Sequence, residues 1–318
     1  MLNRRILRVK AFKALYAYAE NPDLSLKEVL ANLEVSAEAT RDLYLNMMAV
    51  VPALTAEAAK RVEAARGKFN PTEEDLNPNL KFVNNGISVL LENDPDFQRL
   101  IAKKKISWEQ QDAFVHKLYE DLKTREYYIA YMADEESSLA KDAALWKEIY
   151  ANEFEDDEAL ASILEDSSIY WADELAYVLN TCISSFEEMR RTGRWTLPPL
   201  YQSEQLSNRG KKDVASDHDF ARSLVTATYG RFKEYDALID ACASKWDRDR
   251  LYTTDIVLIS MGLAEAETFP AIPVRVTMNE YVEISKYYST PKSHVFVNGL
   301  LDRLIKERMA QGLINKSL

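Results

Sequence analysis

Glycine is scarce in this chain, and no other feature of the sequence limits the possible folds as strongly. Only 8 of the 318 residues are glycine, which is about a third of the usual share of about 7%. Doubly wound nucleotide-binding folds and all-β sandwiches use many glycines in their turns, so both classes are disfavoured. Long stretches rich in Ala, Leu, Glu and Lys contain few helix breakers. They predict an all-α protein.

The net charge of −11 is unevenly distributed along the chain. Residues 1–60 have a net charge of +1, residues 61–216 of −11 and residues 217–318 of −1. Residues 134–174 alone hold 14 acidic side chains and only two lysines. The first 20 residues have the opposite balance, with a net charge of +4. This asymmetry predicts that different parts of the chain bind different partners.

Clusters of helix breakers divide the chain at two places. Asn70-Pro71 and Asn77-Pro78 end one helical stretch. Pro198-Pro199 and the polar run 203–213 mark a second boundary. Because such residues favour turns and loops, they separate an acidic middle part from the two ends.

Hydrophobic periodicity predicts a series of helices in all three parts. No run of about 18 apolar residues occurs, so the sequence predicts no membrane span. The predicted helices cover residues 3–20, 24–34, 38–67, 81–92, 96–105, 108–132, 136–152, 157–165, 168–190, 217–246, 250–266, 273–288 and 293–309.

The sequence lacks the common motifs of catalytic and metal sites. His116, His218 and His294 do not pair at the spacing of metal ligands, and no glycine-rich phosphate loop or GxSxG turn occurs. Cys182 and Cys242 lie far apart and match no metal or redox spacing, which favours a reduced, cytoplasmic setting. We therefore expect no enzymatic activity, no metal and no cofactor.

The first predicted helix carries three arginines along its apolar side. At 100° per residue, Arg8 lies about 40° from Arg4, and Arg5 lies about 100° from it, beside Phe12. A guanidinium in the core is costly without a partner, so we expect the first two turns to project from the body or unwind into an arm. Arginine suits phosphate groups and stacks on bases. The alternative is that these are ordinary surface charges near a terminus.

The most specific pattern in the sequence lies near its C-terminal end. It reads MNEYVEISKYY at 278–288 and PKSHVFVNGLLD at 291–302. The first segment predicts an amphipathic helix with Met278 and Tyr281 on its apolar face. Gly299 lies inside the second predicted helix, where glycine costs about 1 kcal/mol relative to alanine. We therefore expect close helix packing at Gly299.

This pattern closely resembles the NusB family of transcription antitermination factors, with its NusB/RsmB-like helical domain. The start of the chain, RRxxR at 4–8 followed by ALY at 14–16, is similar to the same family, and so is PVRV at 273–276. The resemblance covers about residues 1–60 and 217–310. The ordinary short family pattern has no counterpart of the acidic middle part.

The resemblance therefore implies a divided domain. Residues 1–69 would form the N-terminal part of a NusB-like domain, residues 70–213 an acidic helical insertion, and residues 214–318 the C-terminal part. The fold it implies is all-α, a NusB-like bundle of two packed helical subdomains plus the inserted helical region, and non-enzymatic.

The resemblance also implies a function and its residues. NusB-like proteins bind the boxA element of nascent ribosomal RNA with a small-subunit ribosomal protein that acts as NusE, in an antitermination complex on RNA polymerase. The residues that the resemblance assigns to RNA binding are Arg4, Arg5, Arg8, Lys292, Ser293, His294 and Phe296. Those that it assigns to the ribosomal protein are Tyr16 and Asp255.

Two other functions stay open at this point. The acidic insertion is compatible with a protein-interaction scaffold that docks a basic partner, such as a ribosomal protein or RNA polymerase. A NusB-like domain also begins some RNA methyltransferases. Those enzymes require a glycine-rich cofactor domain after it, and here the sequence ends at Leu318, soon after the last predicted helix.

Overall fold

The computed structural model describes residues 1–201, 216–243 and 251–316, and it confirms the all-α prediction. No β-strand occurs in those ranges, and one isolated parallel bridge joins Leu2 to Tyr201. The helices are α1 Arg4–Glu20, α2 Leu26–Met48, α3 Val50–Arg66, α4 Glu73–Leu76, α5 Gly86–Asn93, α6 Pro95–Lys104, α7 Asp112–Leu122, α8 Glu126–Ala133, α9 Leu139–Asn152, α10 Glu158–Ser167, α11 Leu175–Thr192, α12 Asp217–Ala243, α13 Thr253–Thr268, α14 Val274–Tyr288 and α15 Ser293–Ala310.

The chain forms two compact units. The first, which we call the middle unit, comprises Glu38–Pro198 together with Met1. The second, the terminal unit, comprises Leu2–Ala37 and Pro199–Leu318. One boundary between them falls inside α2. The division of the sequence into residues 1–69, 70–213 and 214–318 stays a prediction.

The middle unit has an aromatic core around Trp146 of α9, which packs against α11. The Trp146 ring lies 5.6 Å from the Phe82 ring and 6.3 Å from the Phe186 ring, measured between centroids. Its indole Nε1 donates a hydrogen bond to Asn85 Oδ1 at 2.9 Å. A buried indole usually needs such a partner, so the polar contact fixes the orientation of the largest core side chain.

The terminal unit is built around α13. This helix packs against α12, α14 and α15, and α1 packs against α12 and α13. Because it has neighbours on all sides, nearly every side chain from Val257 to Ala266 is buried. A helix that is apolar on all faces is typical of the centre of a bundle.

Close helix packing occurs at Gly262 and not at Gly299. A Cβ atom at Gly262 would lie 2.9 Å from both methyl carbons of Leu301 and 3.3 Å from the Tyr281 ring. At Gly299 nothing described lies within 4 Å of that position. The prediction for Gly299 is therefore wrong, because this residue lies on the exposed face of α15.

Several predicted helix boundaries also differ from the structure. The predicted helix at 108–132 is divided, because α7 ends at Leu122, where Thr124 Oγ1 donates to the Asp121 carbonyl at 2.6 Å. The predicted break near Val35 does not occur, and α2 runs through to Met48. Residues 244–246 and 250 of the predicted helices lie outside the described residues. No helix in the described ranges combines the length and apolar character that a membrane span requires.

Candidate nucleic-acid interface

The first helix begins in a regular way and does not unwind into an arm. Asn3 caps α1, since its side-chain oxygen accepts a hydrogen bond from the Ile6 backbone N–H at 3.0 Å. Such a cap satisfies one of the unpaired donors of the first turn. The three arginines of the predicted RNA surface therefore lie on a continuous helix, and their environments are set by what α1 packs against.

Arg8 is buried in the terminal unit, with only 4% of its side chain exposed. Its Nε and Nη2 donate to the two carboxylate oxygens of Glu265 in α13 at 2.7 and 2.9 Å. The same carboxylate accepts from Thr277 Oγ1 at 2.8 Å and from the Tyr281 hydroxyl at 3.0 Å. The expectation that Arg8 projects from the body is wrong, because these hydrogen bonds offset the cost of burying the guanidinium.

Arg4 and Arg5 lie at the surface but are paired with carboxylates. Arg5 is 55% exposed and donates from Nε and Nη2 to the two carboxylate oxygens of Glu280 in α14, at 3.0 and 2.8 Å. Arg4 Nε donates to Asp217 Oδ1 at 3.2 Å, and its guanidinium lies 4.9 Å from the Phe220 ring centroid. An RNA phosphate would have to replace Glu280 and Asp217 as the partner of these arginines.

Glu280 is a negative charge that two arginines, Arg5 and Arg8, share. The hydrogen bond from Arg5 lowers the pKa of Glu280, and the charge of Arg8 acts in the same direction. That hydrogen bond in turn raises the pKa of Arg5. Arg8 Nη1 lies 3.5 Å from the Glu280 carboxylate. One carboxylate thus serves both arginines, and it is ionised throughout the physiological range.

A second group of predicted residues surrounds the loop between α14 and α15. Asp255 is buried there and accepts hydrogen bonds from Ser289 Oγ at 2.7 Å and Ser293 Oγ at 3.0 Å. Ser289 Oγ also lies 3.0 Å from Thr254 Oγ1. Burial raises the pKa of Asp255, and the hydrogen bonds from the two serines oppose that shift. These contacts join the ends of α13, α14 and α15, and we call them the hydroxyl cluster.

The buried position of Ser293 and Asp255 bears on their predicted roles. Neither side chain faces solvent, so an effect of either residue on RNA or on a protein partner would act through the positions of α13 and α15. Lys292 is exposed immediately before α15, and His294 and Phe296 are half-buried in its first turn. Tyr16, the other residue predicted to contact a protein, is 36% exposed on α1.

Two side-chain contacts join α1, which carries the predicted arginines, to α14, which leads into the loop before α15. Arg5 lies beside Glu280, and the Phe12 ring lies 5.4 Å from the Tyr288 ring, so α1 and α14 run alongside each other in the same direction. Glu280 and Tyr288 are eight residues apart, or about 12 Å along a helix. We call the strip between these two contacts the α1–α14 surface; Arg5 lies at its Glu280 end, with Arg4 next to it in the chain, and the loop before α15 follows Tyr288 at the other end.

Sequence reasoning missed the carboxylates that hold the arginines. Glu265 had a recognisable signal, because it interrupts an otherwise apolar segment of α13, and a lone charge in such a segment requires a buried partner. Glu280 belongs to the C-terminal pattern, but nothing in its spacing indicated Arg5 as its partner. The pairing of Asp217 with Arg4 joins positions far apart in the sequence.

The fold and these contacts define an all-α bundle protein. Its basic first helix is held in place by ion pairs with carboxylates of α12, α13 and α14. The NusB family profile matches residues 199–306. Over 133 residues the chain is 35% identical to the transcription antitermination protein NusB of Myxococcus xanthus, and the match covers 93% of that protein and 36% of this chain. The chain belongs to the NusB family.

Two further relatives are matched over a smaller share of their length. The transcription antitermination protein NusB of Thermodesulfovibrio yellowstonii is 36% identical over 115 residues, which is 74% of that protein and 36% of this chain. The NusB protein of Salinibacter ruber is 36% identical over 102 residues, and this chain spans only 64% of its length. No solved structure matches this chain. The family relationship thus applies to about a third of the chain.

Proposed function

We propose that the protein is a non-enzymatic, cytoplasmic, RNA-binding transcription antitermination factor. Its RNA ligand would be a single-stranded element of the boxA type in nascent ribosomal transcripts. Its protein partner would be the small-subunit ribosomal protein that acts as NusE, in an antitermination complex on RNA polymerase. The relatives named transcription antitermination protein NusB support a role in transcription antitermination. The observation that carries the RNA-binding role is the α1–α14 surface, which has arginines at one end and an aromatic and a lysine at the other.

Each exposed residue of this surface has a distinct proposed role. Arg4 and Arg5 bind RNA phosphates, for which the planar guanidinium provides two parallel donors. Lys292 adds a positive charge at the other end, where His294 lies beside it. Phe296 stacks on an unpaired base, a contact that does not depend on base identity. Arg8 contributes indirectly, because its buried ion pair fixes α1 and so positions the first turn.

The ion pairs of Arg4 and Arg5 are compatible with RNA binding. Arg5 is exposed, and pairs at the surface contribute only about 0–1 kcal/mol, so exchanging Glu280 for a phosphate costs little; the Arg4 pair is partly buried on its Asp217 side. The exchange also keeps each guanidinium hydrogen-bonded throughout. Glu280 and Asp217 therefore hold the arginines in place in the free protein and are replaced as partners when RNA binds.

The direct test compares two RNAs and one protein partner. The full chain is titrated with a short single-stranded boxA-type RNA and with a scrambled RNA of the same composition, each with and without the purified ribosomal protein. The proposal predicts tighter binding of the boxA-type RNA and a further gain when the ribosomal protein, for which Tyr16 is the proposed contact, is present. Binding of neither RNA would contradict it.

A second function, a scaffold that docks a basic protein, is favoured by a cavity of about 220 Å³ in the middle unit. Phe114 and Leu118 line it, and four carboxylates outnumber the two basic side chains there, Lys117 and Arg125. Lys117 is paired with Asp121 and Arg125 with Glu153, whereas Asp156 has no ion-pair partner among the described residues. An arginine or lysine of a partner fits such a site, with its apolar stem against Phe114 and Leu118 and its charge near the carboxylates.

This second function is tested with the same ribosomal protein in the absence of RNA. The double variant Asp121→Asn/Asp156→Asn should weaken its binding to the full chain. The control is Glu73→Gln/Glu74→Gln, which removes two exposed carboxylates at the start of α4. If the two double variants bind the ribosomal protein equally well, the cavity is not its docking site.

A further inference from the structure

An unusual group of apolar side chains is exposed around the hydroxyl cluster. Tyr287 at the end of α14 is 82% exposed, Val295 in the first turn of α15 is 63% exposed, and Tyr252 just before α13 is 47% exposed. Single exposed apolar residues are normal on protein surfaces, but a group of them marks an interaction site. We call these three residues the aromatic patch.

Each of the three residues lies two positions along the chain from a member of the hydroxyl cluster. Tyr252 and Tyr287 each lie two residues before a partner in the hydrogen bond between Thr254 and Ser289, whose oxygens are 3.0 Å apart. Val295 lies two residues after Ser293, whose hydroxyl oxygen is 2.9 Å from that of Ser289. The patch therefore stands on backbone that is fixed before any ligand arrives, which lowers the entropy cost of binding.

The charges beside the patch are mainly positive. Lys292 is exposed three residues before Val295 and lacks an ion-pair partner in the part of the chain described. Lys13 Nζ lies 5.7 Å from the ring centroid of Tyr288, the neighbour of Tyr287. Lys286 is paired with Glu283 on the same helix. Exposed rings flanked by lysines are the arrangement that single-stranded nucleic acid requires, because bases stack on rings while phosphates remain near cations.

The size of the patch also favours RNA over a protein partner. A stable protein interface buries about 800 Å² on each partner, and three side chains supply only a fraction of that area. One aromatic ring is enough to stack one base. The patch adjoins Lys292 and Phe296, which already carry the proposed RNA contact.

We infer that Tyr287 and Tyr252 form a stacking platform for unpaired RNA bases, which extends the RNA path beyond Phe296 and across the ends of α13 and α14. This platform rests on the proposed function, since it requires that the α1–α14 surface binds RNA. It assigns a role to tyrosines that neither the charge pattern nor the family resemblance indicated. Tyr287 is the principal contact, because its ring is the more exposed of the two.

The experiment compares single variants of the full chain in titrations with a boxA-type single-stranded RNA. Tyr287→Ala should weaken binding about 5- to 150-fold, the range observed when a stacking side chain is replaced by alanine. The slope of log K against log salt should not change, because no phosphate contact is lost. Tyr287→Phe should bind like the unsubstituted protein, since it keeps the ring.

The matched control is Phe69→Ala, which removes a fully exposed ring from the middle unit and should leave RNA affinity unchanged. RNAs with single abasic positions provide a second measurement. One abasic position should weaken binding to the unsubstituted protein and have little further effect on Tyr287→Ala, because the ring and the base contribute the same contact.

The outcomes separate this inference from the proposed function. If the unsubstituted protein binds RNA and Tyr287→Ala binds it equally well, the platform is overturned and the proposed function stands. If Tyr287→Ala loses affinity for the ribosomal protein but not for RNA, the patch is a protein contact, and the inference is likewise overturned. If the unsubstituted protein binds no RNA, the proposed function fails first.

Discussion

Arg8 in α1 and Glu265 in α13 form a buried ion pair with two hydrogen bonds, of 2.7 and 2.9 Å. The pair joins the first helix of the chain to the central helix of the terminal unit. Thr277 and Tyr281 complete the hydrogen bonding of the carboxylate from α14. Three helices therefore depend on one carboxylate, and the first turn of α1, with its exposed arginines, is positioned by a residue that does not itself face solvent.

Arg8→Ala should lower the free energy of unfolding by about 3–5 kcal/mol, because it leaves the Glu265 carboxylate buried without its cation. Arg5→Ala is the control, since it removes the same side chain from an exposed pair and should cost at most about 1 kcal/mol. Urea denaturation followed by circular dichroism measures both. Equal losses in the two variants would show that the Arg8 pair is not the stabilising contact described here.

Glu280→Gln should strengthen RNA binding at low salt by up to about fivefold, the factor that corresponds to a surface ion pair of at most about 1 kcal/mol. The variant removes the carboxylate that competes with phosphate for Arg5 while keeping the shape of the side chain. Glu187→Gln in the middle unit is the control, because Glu187 is likewise hydrogen-bonded to an arginine, Arg190, but lies far from the proposed RNA contacts in the sequence. Weaker RNA binding by Glu280→Gln than by this control would indicate that Glu280 assists binding.

Replacing Gly262 and Gly299 of the terminal unit by alanine should change the stability of the protein in opposite directions. Gly262→Ala places a methyl group 2.9 Å from the Leu301 side chain, and overpacking of this kind costs about 1–3 kcal/mol. Gly299→Ala meets nothing within 4 Å and should stabilise α15 by up to about 1 kcal/mol through helix propensity. Thermal unfolding of the two variants measures both effects, and a loss of stability in Gly299→Ala would contradict the packing described.

The terminal unit should lose stability in acid, in part through Glu234. Hydrogen bonds from Arg231 and Arg308 lower the pKa of Glu234 from 4.5 to about 2. A carboxyl whose pKa is lower in the folded state stabilises the fold above its ordinary pKa, and this contribution disappears as the pH falls towards the folded value. Asp255, whose pKa is raised by burial, acts in the opposite direction.

The free energy of unfolding, measured by urea denaturation at a series of pH values, should therefore fall between about pH 4.5 and pH 2. The fall should be smaller in Glu234→Gln, which cannot titrate at this position. An equally steep fall in both proteins would show that the ion pairs of Glu234 do not contribute to acid stability.

Local patterns in the sequence predicted the helices and the family, but not the partners of the charged residues. Glycine scarcity and hydrophobic periodicity were sufficient to predict the all-α fold, because helix formation depends mainly on residues close together in the sequence. The angular position of Arg8 on the apolar side of α1 was also correct. Its burial was not foreseen, because the cost of a buried guanidinium depends on a carboxylate 257 positions away in the sequence.

The same limit applies to the glycines and the hydroxyl cluster. Helix propensity marked Gly299 as unusual. Close packing depends on whether a residue faces a neighbouring helix, and Gly262 of α13 does so whereas Gly299 of α15 does not. Asp255 and Ser293 were singled out by family resemblance as contact residues. Their mutual hydrogen bond depends on how α13 and α15 meet, which no spacing within either segment specifies.

The measurement that tests the central claim most directly is the salt dependence of RNA binding by Arg4→Ala/Arg5→Ala. Its control is Arg190→Ala/Arg191→Ala, which removes two exposed, paired arginines from the middle unit. The slope of log K against log salt is negative, and for a single-stranded RNA each lost phosphate contact reduces its magnitude by about 0.7. We predict a lower affinity and a slope reduced by about 1.4 in Arg4→Ala/Arg5→Ala, with neither change in the control. Unchanged affinity and slope in Arg4→Ala/Arg5→Ala would contradict the assignment of the α1–α14 surface to RNA.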